Sequence, residues 1–320
     1  MRSICMNYAL ETRDITKHFV KKDIFGRHID TTKAVNRVSF QIKKGESFVL
    51  AGESGSGKST IARIILGALK PDSGEVLFQG RVVQSADDIK AVQKSCQMVQ
   101  QDPYDSINPR MRVADIIAEP LEIHGTKGVK REERIIQVLQ EVRLEPAREI
   151  ARMHPHMLSG GQRQRVVLAR ALSTHPQIII ADEPVSMLDV PIRAEMLELM
   201  RGLQERLSIS FLYITHDLAT ARHFGSRIAI LYMGKIVESG PIGQVLLHPK
   251  HPYTQALVDA VSEPDPENAG RLKHIGMTDA SPPSSGCLFR TRCPYATPKC
   301  KEEPKLERND KVDVACFFPL

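Results

Sequence analysis

The sequence predicts an α/β fold, a mostly parallel sheet covered by helices on both faces, and three observations carry that expectation. Dense apolar runs, "SFVLAG", "SCQMVQ", "QIIIAD", "SISFLYITH" and "RIAILYM", recur with helical patterns between several of them. The first run breaks directly into "GESGSGKST", Gly52 to Thr60, which leads into the apolar segment "IARIILGAL". The composition, 42% hydrophobic and 26% charged over 320 residues, suits a chain with a substantial core. That length fits one large domain plus an appendage.

The early segments "NYALETRDI" and "AVNRVSFQI" alternate apolar and polar residues, as strands of an antiparallel edge would, with Val35, Val38, Phe40 and Ile42 on two faces. In the turn after "SFVLA", Gly52, Gly55 and Gly57 let the backbone wrap so that successive N–H groups converge, and the helix starting near Lys58 adds its positive end. This G-x-x-x-x-G-K-[ST] pattern is a phosphate cradle: Lys58 would reach the β- and γ-phosphates and the Ser59 hydroxyl would ligate Mg²⁺.

Between Val113 and Leu144 two helical patterns follow each other without a strand, so a helical insertion interrupts the alternation. "QIIIADEP" then ends a buried strand on two carboxylates. Asp182 would hold Mg²⁺, directly or through water, and Glu183 would polarise an attacking water, although such a pair alone is more often a helix cap or a solvated face. His216 follows the strand "FLYIT", where ligands of α/β sheets gather, and could contact a γ-phosphate or the water attacking it. In "LSGGQRQRVVLARAL" the turn Ser159, Gly160, Gly161 opens a helix whose apolar side should be Val166, Val167, Leu168, Ala171 and Leu172, a second anion-binding helix start.

No run is long and apolar enough for a spanning helix, and the N-terminus meets acidic residues too early for a secretory signal, so a cytoplasmic chain is expected. The net charge of +6 suits phosphate-bearing ligands or an anionic membrane surface without choosing between them. The Pro/Ser/Gly-rich stretches "SEPDPENAG" and "DASPPSSG" mark a linker ahead of a cysteine-bearing tail.

Taken together, "LSGGQRQRV", "GESGSGKST", "IIIADE", "SMLD", Gln101 in "VQQDPYDSINPR" and His216 resemble the motif set of ABC-type ATPases. The resemblance covers most of the chain and implies a RecA-like P-loop nucleotide-binding core with an antiparallel β edge and a helical subdomain, over residues 1–245 with the subdomain at about 102–165. It implies ATP and Mg²⁺ as ligands. Glu53, Ser54, Ser56 and Thr60 join the three glycines, Lys58 and Ser59 around the phosphates, Gln101 joins Ser59 and Asp182 at the metal, and Gln101, Glu183 and His216 serve catalysis. It further implies that two such domains close head to tail, each lending its Ser159, Gly160, Gly161, Gln162 turn and its Asp189 loop to the other's ATP. Phe19 resembles the aromatic that stacks on adenine, the alternative being a plain core phenylalanine. Met187 and Ser226 depart from residues more frequent in the family, away from the chemistry.

"QDPYDSINPRMRVADIIAEPL" and "HPKHPYTQALVDAV" are similar to the oligopeptide, dipeptide and nickel importer branch, in particular its second, F-type ATPase subunit, with 246–320 as the branch's C-terminal extension. That resemblance implies a sibling ATPase subunit, two membrane permease subunits and an extracellular substrate-binding protein, at the cytoplasmic face of the membrane. Cys287, Cys293, Cys300 and Cys316, spaced C-x5-C-x6-C-x15-C, are four thiols that could hold an iron–sulfur cluster, hold zinc, or remain unligated. The branch associates this segment with a 4Fe–4S cluster. Cys5 and Cys96 read as structural. Two other readings stay open: a soluble ABC-type ATPase acting on nucleic acid or ribosomes, which usually has two cassettes or a long coiled coil, and a catalytically idle regulatory subunit. The favoured reading involves no nucleic acid, and the cargo, whether peptide, nickel chelate or oligosaccharide, is not written in this chain.

Overall fold

The computed structural model describes residues 8–22, 28–260, 283 and 285–320. Cys5 and most of the expected linker lie outside the described residues.

The antiparallel piece expected near the N-terminus is a sheet in its own right. Strands β1 (Tyr8–Lys22) and β2 (His28–Lys43) pair with Leu10 opposite Ile42 and Ile15 opposite Val38, and β4 (Ser73–Phe78) and β5 (Arg81–Val82) complete the order β2-β1-β4-β5. The main sheet is built from β3 (Ser47–Ala51), β6 (Cys96–Val99), β7 (Ile178–Asp182), β8 (Ser210–Thr215), β9 (Arg227–Tyr232), β10 (Lys235–Pro241), β11 (Glu307–Asn309) and β12 (Val312–Val314). Its order is β11-β12-β10-β9-β3-β8-β7-β6, parallel from β9 to β6 and antiparallel beyond β9.

Helices α1 (Lys58–Ile65), α2 (Ala86–Ser95), α3 (Pro103–Ser106), α4 (Val113–Ile123), α5 (Val129–Glu141), α6 (Ala147–Ile150), α7 (Gly160–Leu172), α8 (Val190–Leu207), α9 (Leu218–Phe224), α10 (Ile242–Leu247) and α11 (Pro252–Asp259) fill the rest. From α3 to α6 no strand intervenes, as the run of two helical patterns implied.

The dense runs are dense because both faces of the sheet are covered. Phe48 and Leu50 of β3, with Leu212 and Ile214 of β8, pack into one core with Ile15, Val38 and Ile42 of the antiparallel sheet and Ile61 and Ile65 of α1. Across the sheet, Val49 and Ala51 join Ile179, Phe211 and Tyr213 in the other core, shared with α4, α5, α7 and α8. Each fully buried Leu or Ile contributes roughly 1.5–3 kcal/mol to such cores. Phe40 stacks on Phe48 at 5.1 Å, tying the two sheets together. The apolar side foreseen for α7, Val166, Val167, Leu168, Ala171 and Leu172, is buried, and Cys96 is buried in β6 with its thiol pushed up to about 12 by desolvation.

Candidate functional site

Parallel pairing sets Ala51 beside Thr215 and Asp182 beside Ile214, so the carboxyl ends of β3, β7 and β8 lie level. The phosphate loop, the carboxylate pair and His216 therefore emerge at one end of the sheet. Gly57 turns the loop into α1 with φ 107°, a conformation that suits a residue without a β-carbon.

Lys58 is buried, and its Nζ donates to Gly52 O at 2.7 Å, Glu53 O at 2.8 Å and Ser56 Oγ at 3.4 Å. Burial lowers its pKa, while the negative charges of Glu183, Asp182 and Glu53 oppose that shift. The Ser59 hydroxyl donates to Asp182 Oδ2 at 2.9 Å. Burial raises the Asp182 pKa, the Ser59 bond opposes it and neighbouring Glu183 adds to the rise. A desolvated carboxylate joined to a hydroxyl is a hard oxygen donor pair, which fits Mg²⁺ beside a phosphate. Ser54 and Gly55 are exposed, Thr60 is half-buried and Ser56 buried.

Glu183 has φ 49° and donates its N–H to Ile214 O at 2.9 Å. A left-handed non-glycine residue is strained backbone, held here by the neighbouring strand. Its Oε1 lies 2.8 Å from His216 Nδ1. Gln101, Glu183, Met187, Arg193 and His216 line a cavity of about 280 Å³. The residues expected for water activation thus share one space, large enough for solvent and a phosphoryl group.

The turn Ser159, Gly160, Gly161 opens α7, as its sequence led one to expect. Ser159 caps α7 by accepting from Gln162 N at 3.3 Å, while Gln162 Oε1 accepts from Ser159 N at 2.9 Å, a reciprocal capping box. Gly160 is exposed and Gly161 half-buried, and Asp189 stands exposed at the N-cap position of α8 without a side-chain capping bond. No hydrogen bond or ion pair among the described residues joins these to the phosphate loop. Phe19 on β1 is 45% exposed, so its ring is free to stack on a ligand rather than fill the core. Ser226, at a position where the family more often has aspartate, donates its hydroxyl to Ser47 O at 2.9 Å, a structural bond remote from the phosphates.

Sequence reasoning missed the residues that approach the loop from the C-terminal extension. The Glu53 N–H donates to Tyr253 Oη at 3.0 Å, and Arg292 places Nη2 3.3 Å from Glu53 Oε1 and Nη1 3.4 Å from Oε2. The "HPY" triplet gains a physical account: His251 Nδ1 accepts from Tyr253 N at 3.0 Å as the cap of α11, Pro252 opens that helix and Tyr253 reaches the phosphate loop. Glu238 holds the N–H groups of Lys250 and His251 at 2.8 and 2.9 Å. The unusual triplet was the available signal. Arg292 had none, being one cation among many in the tail.

Cys287, Cys293, Cys300 and Cys316 converge on one cavity of about 20 Å³, lined also by Phe289 and Arg290. Burial raises the pKa of Cys287, Cys293 and Cys316, as expected of thiols in apolar surroundings. Among the described residues no group of three or more His, Cys, Asp or Glu side chains is placed to hold a metal ion, the four cysteines included. Among the described residues no helix is long and apolar enough to cross a membrane.

Comparison with known proteins shows the family. Residues 35–186 match the model of the family described as "ABC transporter", and residues 237–300 match "Oligopeptide/dipeptide transporter, C-terminal region". The chain is 42% identical over 303 residues to the oligopeptide transport ATP-binding protein AppF of Bacillus subtilis, covering 92% of each. It is 42% identical to the oligopeptide transport ATP-binding protein OppF of Escherichia coli, over 96% of this chain and 95% of that one. The di/tripeptide transport ATP-binding protein DppF of Pseudomonas aeruginosa is 39% identical, with 97% and 98% covered. Among solved structures, cbiO1 of Clostridium perfringens, part of the ABC transporter complex cbiONQ, superposes with TM-score 0.65 at 25% identity, covering 76% of this chain and 92% of that one. A dimeric ATP-binding cassette in a post-hydrolysis state with ADP and Pi gives 0.63 at 29% identity, over 73% and 98%.

Proposed function

Because the chain belongs to the family of ABC transporter ATP-binding proteins, in its oligopeptide/dipeptide branch, we propose that it binds and hydrolyses ATP to energise peptide import. The observation that carries this is the meeting of Lys58, Ser59 and Asp182 at the mouth of the phosphate loop with Glu183 and His216 beside a shared cavity. The similarity to AppF, OppF and DppF over more than nine-tenths of the chain supports peptides as the cargo, over a nickel chelate or oligosaccharide.

The residues divide the work by position. Loop amides from Gly52 to Thr60 and the Lys58 ammonium bind the phosphates, with the start of α1 aimed at them. Ser59 and Asp182, with Gln101 at the cavity wall, would hold Mg²⁺, which neutralises charge on the β- and γ-phosphates. Glu183 accepts the proton of the attacking water, and His216, bonded to Glu183, orients it and can meet the γ-phosphoryl group. Phe19 stacks on the adenine. Ser159, Gly160, Gly161, Gln162 and Asp189 serve the ATP of a second cassette, an assignment supported by the exposure of Ser159, Gly160, Gln162 and Asp189 and by the absence, among the described residues, of a hydrogen bond or ion pair from them to this chain's own phosphate loop.

The same reading divides the chain into a nucleotide-binding domain at 1–245 and an extension at 246–320. It places the protein at the cytoplasmic face of the membrane, paired with a sibling ATPase, beneath two permeases fed by an extracellular binding protein. Closure of the pair on ATP and its reopening after hydrolysis would drive alternating access. ATP turnover of the wild type and of Glu183→Gln, each measured alone and with the sibling subunit, is the test. Glu183→Gln is expected to retain nucleotide binding and to lose turnover by about a hundredfold or more. Wild-type turnover in that variant would remove Glu183 from the mechanism, and turnover indifferent to the sibling would remove the shared site.

The 4Fe–4S cluster belongs to this proposal as the occupant of the four cysteines, supported by their convergence on one cavity. Iron and acid-labile sulfide should be found in protein purified without oxygen and lost in Cys293→Ser. Stoichiometric zinc, or metal-free thiols in such a preparation, would overturn that occupant.

A further inference from the structure

The C-terminal extension does more than follow the nucleotide domain in the chain; it grips the phosphate loop. Glu53, the second residue of the loop, is held twice. Its backbone N–H donates to Tyr253 Oη at 3.0 Å, and both oxygens of its carboxylate face the two Nη atoms of Arg292 at 3.3 and 3.4 Å. Such a forked pair fixes direction as well as distance. Arg292 is itself braced, with its guanidinium carbon 5.7 Å from the Phe289 ring centre and 6.0 Å from that of Tyr232. Tyr232, Tyr253 and Phe289 pack on one another with centroids 4.5–5.5 Å apart. A rigid aromatic floor thus carries both contacts to Glu53. The carbonyls of the two peptides that flank the Glu53 α-carbon, Gly52 O and Glu53 O, both accept from Lys58 Nζ, at 2.7 and 2.8 Å. The extension and the phosphate-binding lysine therefore both bond to Glu53.

We propose that Arg292 and Tyr253 are positioning residues of the ATP site, which hold Glu53 so that the loop amides and Lys58 meet the triphosphate, and that the extension thereby sets the affinity for ATP. The proposal rests on the ATP-binding reading above. Neither residue touches the nucleotide; both act through Glu53. Because Arg292 lies one residue before Cys293 and five after Cys287, whose thiols line the four-cysteine cavity, the linkage also runs the other way. Coupling free energies are reciprocal, so ATP bound at the loop must stabilise the segment around Arg292.

The test is a double-mutant cycle in the full-length chain, with fluorescent-ATP titration and steady-state kinetics of Glu53→Gln, Arg292→Gln and the double variant, together with Arg292→Lys and Tyr253→Phe. Each of the two single charge variants is expected to weaken ATP binding about five- to tenfold, raising KM with kcat nearly unchanged, and the double variant to be no weaker than either single. Arg292→Lys should recover part of the loss. Tyr253→Phe keeps the packed ring and removes only the acceptor oxygen, so it reports on the contact even if Arg292→Gln fails to fold. In the wild type, ATP should slow backbone hydrogen exchange across residues 286–293, and this protection should vanish in Glu53→Gln, a response that a merely structural arginine would not give. Additive losses, wild-type affinity in both Arg292→Gln and Tyr253→Phe, or exchange indifferent to ATP would each overturn the proposal. A wild type that binds no ATP would defeat the parent reading, whereas a wild type that binds ATP, with Lys58→Ala deficient and both clamp variants normal, would defeat this inference alone.

Discussion

A β-carbon added at Gly57 would stand 2.1 Å from Ala34 O, on backbone that cannot step aside, at a φ of 107° that side chains rarely tolerate. Gly57→Ala is therefore expected to cost about 2 kcal/mol or more in stability, measured by urea unfolding, and to weaken ATP binding because the clash lies inside the cradle. Unfolding at the wild-type midpoint would show that the strands around Ala34 yield. This glycine was legible in the sequence because the loop pattern demands it. So were Lys58, Ser59 and Asp182, since each chemical role selects a residue type at a fixed spacing. The contacts of Tyr253 and Arg292 with Glu53 were not, because they depend on the chain returning 200 and 239 residues later; the HPY triplet marked the Tyr253 segment without disclosing where it packs, and Arg292 had no mark at all.

At the level of elements, the capping of α11 makes a pH-dependent joint. His251 is buried, and desolvation pushes its pKa from 6.5 down to about 4. Its neutral ring accepts the Tyr253 N–H, and protonation would both charge a buried group and remove that acceptor. Because the folded pKa lies below the unfolded one, the fold favours the neutral ring. The associated stability is complete above pH 6.5 and is lost as pH falls toward 4. Glu238, which faces the same backbone, acts oppositely. Its carboxyl is raised by burial, so its protonation on acidification favours the fold. His251→Asn keeps a capping oxygen without a titrating ring, and its unfolding free energy relative to wild type should rise by up to about 3 kcal/mol between pH 6.5 and pH 4. Denaturant melts at a series of pH values check this, and a difference constant with pH would place the titration elsewhere. The periodicities of α7 and of the dense strands were read directly because burial on a single stripe, or on both faces, leaves a compositional trace. The pairing of β1 with both β2 and β4 was not, since alternation identifies a strand but not its neighbours.

Over the whole molecule, the α/β alternation and the helical interruption were written in the order of apolar runs, which the topology then follows from β3 to β9. What the order of runs did not disclose is that the tail rejoins the main sheet. After the cysteines the chain forms β11 and β12, with Ser239 of β10 opposite Asp313 and Glu238 opposite Val314. Strands of three residues carry little hydrophobic signal of their own. Their placement nonetheless bears on how the protein keeps company. An uncovered β10 would present a row of unspent amides and carbonyls to any passing chain, whereas the outermost strand is now a three-residue stub reading Glu307, Arg308, Asn309. The sheet is thereby spared an indiscriminate adhesive margin.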